Sequence, residues 1–483
     1  MDHGNYINGQ WQAAAGGATF ERRNPADTRD LVGRFPESGE ADVRAAVDAA
    51  RAALPAWRRL TGDARAQFLR RAANLLEARK DAVAAALTRE EGKTLAESGG
   101  ETGRGVVLLR YYAGEGLRAG GDVLPSASPG TLLFTERVPL GVVGLITPWN
   151  FPVAIPLWKI APALIYGNTV VLKPSELAPR TAHLIAEVLH EAGLPPGVFN
   201  LVQGARAAGE ALVNAPGVDG ISFTGSVATG KSIARACVER GAKYQLEMGG
   251  KNPVIVLEDA DMAQAVELTV QGAMRSAGEK CTATSRAIVV ESVADEFTRR
   301  VVERVRHLEM GPGTDARFYL GPLISVQSRD RVLRYVEQAK AEGARLLCGG
   351  TAAHRPDLAH GYYVWPAVLD NVRPDMAIAQ EEVFGPVLAI LRVPDFDRAL
   401  AVANGVPFGL SASLFTRDLG SALRFAREID AGLVRVNGET AGVEPQAPFG
   451  GMKASSSFSR EQGQAAREFY TQVKTISFDK AGA

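Results

Sequence analysis

Residues 141–152 read G-V-V-G-L-I-T-P-W-N-F-P, an apolar run that stops at a proline and leads into an asparagine between two aromatic residues. An apolar run without alternation is typical of a parallel strand whose two faces are both covered by helices. Helix-like and strand-like segments then alternate, at 156–166 (helix), 169–172 (strand), 181–192 (helix), 198–202 (strand), 207–213 (helix) and 220–223 (strand). This alternation predicts an open parallel sheet, which binds its ligand at the carboxyl ends of the strands.

The rest of the chain predicts a second α/β unit and several flanking elements. The strand candidates of the second unit are residues 254–257, 287–290, 387–390 and 433–436. Near the N-terminus, Asn8 and Gly9 lie between apolar residues and predict a tight hairpin. Other helices are predicted at 40–53, 63–86, 95–113 and 262–277, and outlying strands at 131–138 and 469–478.

The composition limits the classes of function. The 483 residues are too many for one core and suggest two or three domains. The 54 basic and 54 acidic residues give zero net charge, so nucleic acid is not an expected partner. No apolar run is long enough for a membrane span, and the N-terminal residues lack a signal-peptide pattern. Three distant cysteines predict neither disulfides nor a metal site, so we expect a reducing cytoplasm.

Cys281 lies in the polar segment 276–286, S-A-G-E-K-C-T-A-T-S-R, between a predicted helix and a predicted strand. A cysteine at such a transition is held stiffly beside a cleft, which suits a nucleophile. However, free cysteines are usually small buried residues of a core, and a single cysteine motif does not transfer between families. The other motifs of the chain decide between these interpretations.

Four further segments carry polar residues near predicted strand ends. Asn150 could donate its amide to a developing oxyanion, but it is also a typical turn residue. Lys173 and Glu176, in L-K-P-S-E, could bind ribose hydroxyls or belong to a solvated strand end. Residues 223–230, F-T-G-S-V-A-T-G, could present a helix N-terminus to a pyrophosphate, although G-x-G-x-x-G is absent. Glu247, in L-E-M-G-G-K-N-P, could be a general base or an ordinary surface glutamate.

Together and in this order, the motifs resemble those of the aldehyde dehydrogenase superfamily. The set also includes E-E-V-F-G-P at 381–386 and P-F-G-G at 448–451, and the resemblance extends over nearly the whole chain. It implies an α/β fold with two doubly wound domains, a Rossmann-like cofactor domain and a catalytic domain, plus a small β arm for oligomerisation. The expected bounds are 1–116 with 140–248 for the NAD(P)-binding domain, 249–466 for the catalytic domain, and 117–139 with 467–483 for the arm. The arm implies a homodimer or a homotetramer.

The resemblance also implies a chemistry. The thiolate of Cys281 would attack an aldehyde and form a thiohemiacetal, whose oxyanion Asn150 and the Cys281 backbone N–H would hold. Hydride transfer to a nicotinamide would leave a thioester, and Glu247 would activate the water that hydrolyses it. A glutamate at 247 argues against the branch of the family that transfers its product to coenzyme A. No metal is implied.

The cofactor implied by the resemblance is NAD or NADP. The matching positions are Thr147, Trp149, Lys173, Glu176, Gly225, Ser226, Glu382 and Phe384. Of these, Lys173 and Glu176 match the adenosine ribose site, and Glu382 matches the nicotinamide ribose site. A carboxylate at 176 should repel a 2′-phosphate, so NAD is mildly favoured.

The substrate is a small-molecule aldehyde, and the implied pocket positions are Arg104, Phe151, Trp158, Lys280, Thr282 and Val443. Arg104 could grip a substrate carboxylate bidentately, or it could be a solvated helix residue. The segments around Cys281 and 440–457 look most like those of the subgroup that oxidises α-ketoglutaric semialdehyde. Phe458 departs from that subgroup, which has a small residue there, and Glu279 departs from the commoner glutamine. A charged Glu279 near the thiol would raise the pKa of Cys281.

Three alternatives stay open. Another aldehyde, such as succinate semialdehyde, betaine aldehyde or an aromatic aldehyde, would use the same chemistry. A non-catalytic protein could keep the fold, and a cysteine hydrolase could dispense with the cofactor. The hydrolase needs a histidine base, and none of the six histidines lies near the motifs in sequence.

Overall fold

Two seven-stranded sheets and one three-stranded sheet organise the chain, whose computed structural model describes residues 3–118 and 120–480. The strands are β1 (Asn5–Ile7), β2 (Gln10–Gln12), β3 (Thr19–Asn24), β4 (Asp27–Pro36), β5 (Val123–Leu124), β6 (Leu132–Pro139), β7 (Val142–Thr147), β8 (Thr169–Pro174), β9 (Phe199–Leu201), β10 (Gly220–Thr224), β11 (Lys243–Glu247), β12 (Asn252–Val256), β13 (Thr284–Val290), β14 (Arg345–Cys348), β15 (Ala367–Asp370), β16 (Val387–Val393), β17 (Phe408–Gly409), β18 (Ser411–Phe415), β19 (Leu433–Val436), β20 (Met452–Lys453) and β21 (Thr471–Phe478). The α-helices are α1 (Glu40–Arg59), α2 (Gly62–Ala78), α3 (Lys80–Glu91), α4 (Leu95–Glu115), α5 (Ala154–Ile165), α6 (Pro179–Glu191), α7 (Arg206–Asn214), α8 (Val227–Glu239), α9 (Met262–Met274), α10 (Glu291–Arg306), α11 (Val326–Ala341), α12 (Ala377–Gln380), α13 (Phe396–Asn404), α14 (Leu419–Glu428) and α15 (Arg467–Tyr470).

The first sheet has the strand order β11-β10-β7-β8-β9-β1-β2. The strands from β11 to β9 are parallel, and the hairpin β1–β2 joins their edge in the antiparallel sense. Side chains along β7 alternate between two apolar cores, since Val143 and Leu145 enter one and Val142 enters the other. Both faces of β7 are therefore buried, which explains its unbroken apolar run and confirms the predicted parallel sheet.

The second sheet has the order β14-β15-β16-β13-β12-β18-β19, and only β14 runs antiparallel to its neighbour. Its strands are also buried on both faces, because Ile255 and Ile288 enter one apolar core while Val254 and Val289 enter another. Two separate doubly covered sheets confirm the α/β fold class expected from the sequence.

The third sheet joins two distant parts of the chain. β21 pairs with β6 from Thr471 to Phe478, and β5 pairs with the other edge of β6. Several of its apolar side chains lie in solvent, among them Val123 at 76% exposure and Phe478 at 61%. Clustered exposed apolar side chains are typical of a surface that binds a partner.

Several predicted elements have other bounds in the structure; for example, the helix predicted over 40–53 continues to Arg59. The helix predicted over 63–86 is two helices, because Arg79 leaves the helical conformation between α2 and α3 (φ −106°, ψ 10°). The helix predicted to reach residue 277 ends at Met274, because a left-handed turn follows. The strand predicted from residue 469 begins at Thr471, after the helical turn α15. In the described residues, no helix is both long and apolar enough to cross a bilayer.

Candidate active site

A cleft of about 200 Å³ is lined by segments at the strand ends of both large sheets. From the first sheet it receives the residues that follow β7, β10 and β11, and from the second sheet the segments that lead into β12, β13 and β16. The lining residues are Pro148, Trp149, Asn150, Thr224, Gly225, Ser226, Met248, Gly249, Cys281, Arg331, Glu382 and Phe384. Five motifs that are far apart in the sequence therefore meet in one place.

The thiol of Cys281 is free and keeps part of its surface open. Burial raises its pKa to about 12, with further increases from the negative charges of Glu382 and Glu247. The backbone N–H groups of Cys281 and Thr282 act in the opposite direction but do not balance burial. Without a ligand, the thiol is therefore protonated near neutral pH.

Asn150 is almost fully buried and is held at both ends. Its side-chain Nδ2 donates to the carbonyl oxygen of Glu279 at 2.9 Å. The backbone carbonyl oxygen of Asn150 accepts a hydrogen bond from Lys93 Nζ at 2.6 Å, and the same ammonium pairs with Glu101 at 2.7 Å. Because an amide nitrogen carries two hydrogens, this arrangement leaves one N–H to donate to a ligand.

Glu247 ends β11, and its carboxylate is buried. Oε2 accepts from Ser456 Oγ at 2.5 Å, whereas Oε1 has no partner among the described protein atoms. Burial raises the pKa of Glu247 well above its usual range, and the negative charge of Glu461 adds to the increase. A carboxyl group shifted in this direction is suited to proton transfer near neutral pH.

Glu461 and Lys159 form a buried pair that the sequence analysis missed. Glu461 also accepts from Ser222 Oγ at 3.1 Å and from Trp158 Nε1 at 2.7 Å. One signal was available: Lys159 lies in α5, a helix whose residues are otherwise apolar and are all buried. A lone lysine in such a helix indicates a buried partner.

The positions expected for the cofactor lie at the carboxyl ends of three neighbouring strands of the first sheet. Lys173 is the penultimate residue of β8, and its Nζ is 3.5 Å from Oε2 of Glu176, which follows the strand. Ser226 is the N-cap of α8, and its Oγ accepts from Thr229 N at 3.3 Å. Thr147 Oγ1 is buried and has no partner among the described protein atoms. These features suit a dinucleotide. Parallel sheets bind ligands at the carboxyl ends of their strands, a helix N-terminus attracts a pyrophosphate, and the Thr147 hydroxyl can offer a hydrogen bond.

The other side of the cleft adds aromatic and acidic groups. Glu382 Oε1 accepts from Gly250 N at 3.0 Å, and burial raises the pKa of Glu382. Trp149 and Phe384 pack edge to face with their ring centres 5.6 Å apart. Arg331, on α11, also lines the cleft although the sequence analysis did not select it. Its Nε donates to the Val383 carbonyl at 3.1 Å.

The six residues expected in the substrate pocket have different surroundings. Phe151, Val443 and Cys281 are partly buried against the same apolar core, which contains Trp158. Arg104 donates to Gln462 Oε1 at 2.7 Å. The buried Lys280 donates to the Gln271 carbonyl at 3.5 Å, and the Thr282 carbonyl accepts from Thr440 Oγ1 at 2.7 Å.

The two departures from the expected subgroup lie away from the thiol. Phe458 is 95% exposed and is not part of the cleft lining. The Glu279 carboxyl is buried and accepts from Ile324 N at 3.2 Å, and burial raises its pKa well above the usual range. The charges that raise the pKa of Cys281 are those of Glu382 and Glu247.

Alternative catalytic groups are missing from the cleft. No histidine is among its lining residues, and the described part of the chain holds no cluster of histidine, cysteine and acidic side chains that could bind a metal. His3 and His183 instead pack against each other beside the N-terminal hairpin, with their ring planes tilted by 60°.

The sequence pattern of the aldehyde dehydrogenase family matches residues 11–476. The chain is 53% identical to an α-ketoglutaric semialdehyde dehydrogenase of Bacillus subtilis over 98% of this chain and 97% of the relative. It is 46% identical to an α-ketoglutarate semialdehyde dehydrogenase of Haloferax volcanii over 98% of each chain. A crystal structure of betaine aldehyde dehydrogenase from Staphylococcus aureus in complex with NAD+ matches with a TM-score of 0.97 and 35% identity, covering 100% of this chain and 96% of that one.

The raised pKa of Cys281 predicts how its reactivity depends on pH. Because the thiolate is the nucleophile, its alkylation by iodoacetamide in the absence of cofactor should keep rising from pH 7 to pH 10, by about tenfold per unit. Peptide mapping would separate Cys281 from Cys237 and Cys348. A rate that levels off below pH 9 would contradict the proposed effect of burial.

Proposed function

Because the chain belongs to the aldehyde dehydrogenase family, we propose that it oxidises α-ketoglutaric semialdehyde to 2-oxoglutarate with NAD. The observation that carries the chemistry is the meeting of Cys281, Asn150 and Glu382 in one cleft. The proposed substrate is the one named for the relatives at 53% and 46% identity. The reaction consumes the aldehyde, water and NAD+, and it forms the carboxylate, NADH and two protons.

Cys281 is the proposed nucleophile. Once its proton has left, Sγ bonds to the aldehyde carbon and the carbonyl oxygen becomes an oxyanion. Asn150 donates its free amide N–H to that oxyanion, while the bond from Nδ2 to Glu279 keeps the amide in a fixed orientation. A preorganised donor of this kind typically contributes ~10²–10³ in rate.

Glu247 is the proposed base of the second stage. The nicotinamide ring, when bound, accepts the hydride from the carbon attached to Sγ, and a thioester remains on Cys281. Glu247 then takes a proton from water as the water oxygen bonds to the thioester carbon and the C–S bond breaks. The raised pKa of Glu247 supports this role, because a base that works near neutral pH must hold the proton it removes.

We assign the cofactor site to the strand ends of the first sheet and the loop of the E-E-V-F-G-P motif. Lys173 and Glu176 would hold the adenosine ribose, Ser226 at the start of α8 the pyrophosphate, and Glu382 the nicotinamide ribose. Preference for NAD rests on Glu176, because a carboxylate repels a 2′-phosphate. The Staphylococcus aureus structure is a complex with NAD+, which supports NAD as the cofactor.

Arg104 is the proposed partner of the distal substrate carboxylate. It lies on α4 and its guanidinium is half-buried, which limits competition from water. The guanidinium donates to the neutral side chain of Gln462, and Glu444 is the acidic group whose charge acts on it. A substrate carboxylate would supply the negative charge that Gln462 lacks.

We further propose that the third sheet is an oligomerisation arm formed by residues 117–139 and 467–483. We also propose the domain bounds expected from the sequence, and the division into two large sheets supports them. A cytoplasmic location is likewise proposed. The exposed apolar side chains of β5 and β21 support contact with a second copy of the chain, because water solvates such a surface poorly.

The proposed function predicts a substrate order. Reduced cofactor should form fastest with α-ketoglutaric semialdehyde, more slowly with succinate semialdehyde, and slowest with betaine aldehyde and benzaldehyde, and NAD should exceed NADP. Absorbance at 340 nm follows the reaction, since the reduced nicotinamide absorbs at about this wavelength. Cys281→Ala should abolish activity with every aldehyde. Activity that survives in this variant would remove Cys281 as nucleophile, and the highest rate with betaine aldehyde would favour that alternative substrate.

Arg104→Met tests the carboxylate contact. We expect kcat/KM for α-ketoglutaric semialdehyde to fall roughly 10–100-fold, because a charge-assisted hydrogen bond contributes about 1.5–3 kcal/mol. The value for benzaldehyde should not change. Arg110→Met is the matched control, since Arg110 lies on the same helix but pairs with Glu77 at the surface. Equal losses for acidic and neutral aldehydes would exclude Arg104 as the carboxylate partner.

A further inference from the structure

Three consecutive residues shortly before Cys281 adopt left-handed backbone conformations. Their φ angles are 53° at Ser276, 49° at Ala277 and 68° at Gly278. Glycine takes this conformation freely, but a Cβ approaches the following carbonyl oxygen and raises the free energy. Two such residues in succession persist only where surrounding contacts hold them, and conformations of this kind cluster at functional sites.

Glu97 on α4 provides the contact that holds this turn. Its Oε1 accepts from Ser276 N at 2.7 Å and from Ser276 Oγ at 3.2 Å. Its Oε2 accepts from Thr94 N and Thr94 Oγ1, both at 2.9 Å, and so closes the capping box of the helix. One carboxylate oxygen therefore binds the turn and the other binds the start of α4. The capping box fixes the orientation of the Glu97 carboxylate toward the turn.

The turn determines the position of the residues that follow it. Glu279 N donates to the Ser276 carbonyl at 2.9 Å, and the Glu279 carbonyl accepts from Asn150 Nδ2 at 2.9 Å. A Cβ at Gly278 would lie 2.2 Å from the Gly385 carbonyl oxygen, so the turn is also packed closely against the E-E-V-F-G-P loop. A shift of the turn would therefore move Cys281 and the amide of Asn150 relative to each other.

We propose that Glu97 is a positioning residue, which holds the left-handed turn and thereby aligns Cys281 with the amide of Asn150. Both carboxylate oxygens of Glu97 are already bonded to Thr94 and Ser276, so Glu97 acts through the turn and not on the substrate. The inference rests on Cys281 as nucleophile and therefore on the proposed function.

The test compares Glu97→Ala with the double variant Glu97→Ala, Ser276→Gly. The single variant should lower kcat roughly 10–100-fold, because a misplacement of about 1 Å can cost 10²-fold in rate. Glycine at 276 should restore most of this loss, since it takes a positive φ without strain. The alkylation rate of Cys281 without cofactor should change in the single variant and return in the double variant, a response that a general loss of stability would not give.

Thr94→Ala is the matched control, because it removes the Thr94 Oγ1 hydrogen bond to Oε2 and leaves the bonds from Thr94 N to Oε2 and from Ser276 to Oε1, which hold Glu97 in place. It should lower the melting temperature but not kcat.

If Glu97→Ala does not fold, Glu97→Gln replaces it. The single amide oxygen of glutamine cannot accept from both Thr94 and Ser276, so kcat should fall by a smaller factor, and Ser276→Gly should restore it. Unchanged kcat in the Glu97 variants, no rescue by glycine, or an equal loss in Thr94→Ala would overturn the proposal. Full activity of Cys281→Ala would instead remove the proposed nucleophile, whatever the Glu97 variants show.

Discussion

Desolvation of acidic groups is the constraint on which the rest of this structure depends. Cys281 and Glu382 line one cleft, Glu247 directly precedes the lining residue Met248, and burial raises the pKa of all three. None of them can ionise there without compensation, because a protein interior solvates an anion poorly. The fold supplies fixed donors instead of water: Ser456 Oγ bonds to Glu247, and Gly250 N bonds to Glu382. Each of these hydrogen bonds lowers the pKa of its carboxyl group and so offsets part of the effect of burial.

The sequence alone predicted the parts of the fold that follow from local pattern. The unbroken apolar run of β7 indicated a strand buried on both faces, and Asn8 and Gly9 indicated the N-terminal hairpin, whose two turn residues have φ of 51° and 79°. The motifs around Asn150 and Cys281 stand at the ends of elements, and parallel sheets bring such ends together. Most of the residues that line the cleft were named by the resemblance of these motifs to the aldehyde dehydrogenase family.

Features that depend on contacts between distant residues could not be predicted. The strand β11 has only five residues, with apolar side chains at Tyr244 and Leu246, which is too short an alternation to predict a strand, and it forms by pairing with β10. The pairing of Lys159 with Glu461 joins positions 302 residues apart, and buried pairs of this kind are placed by tertiary geometry. The left-handed turn at Ser276 contradicts the helical propensity of its sequence, because the carboxylate of Glu97 stabilises it from another helix. Each is a case in which tertiary contacts decide the local structure.

The most direct test of the two-stage account is the fate of the acyl group in Glu247→Gln. With α-ketoglutaric semialdehyde and NAD, this variant should form one equivalent of NADH per subunit and then stop. Intact-mass and peptide measurements should find the acyl group as a thioester on Cys281, because the amide cannot accept the proton of the attacking water. Steady turnover at the wild-type rate, or NADH formation without an adduct on Cys281, would contradict the account.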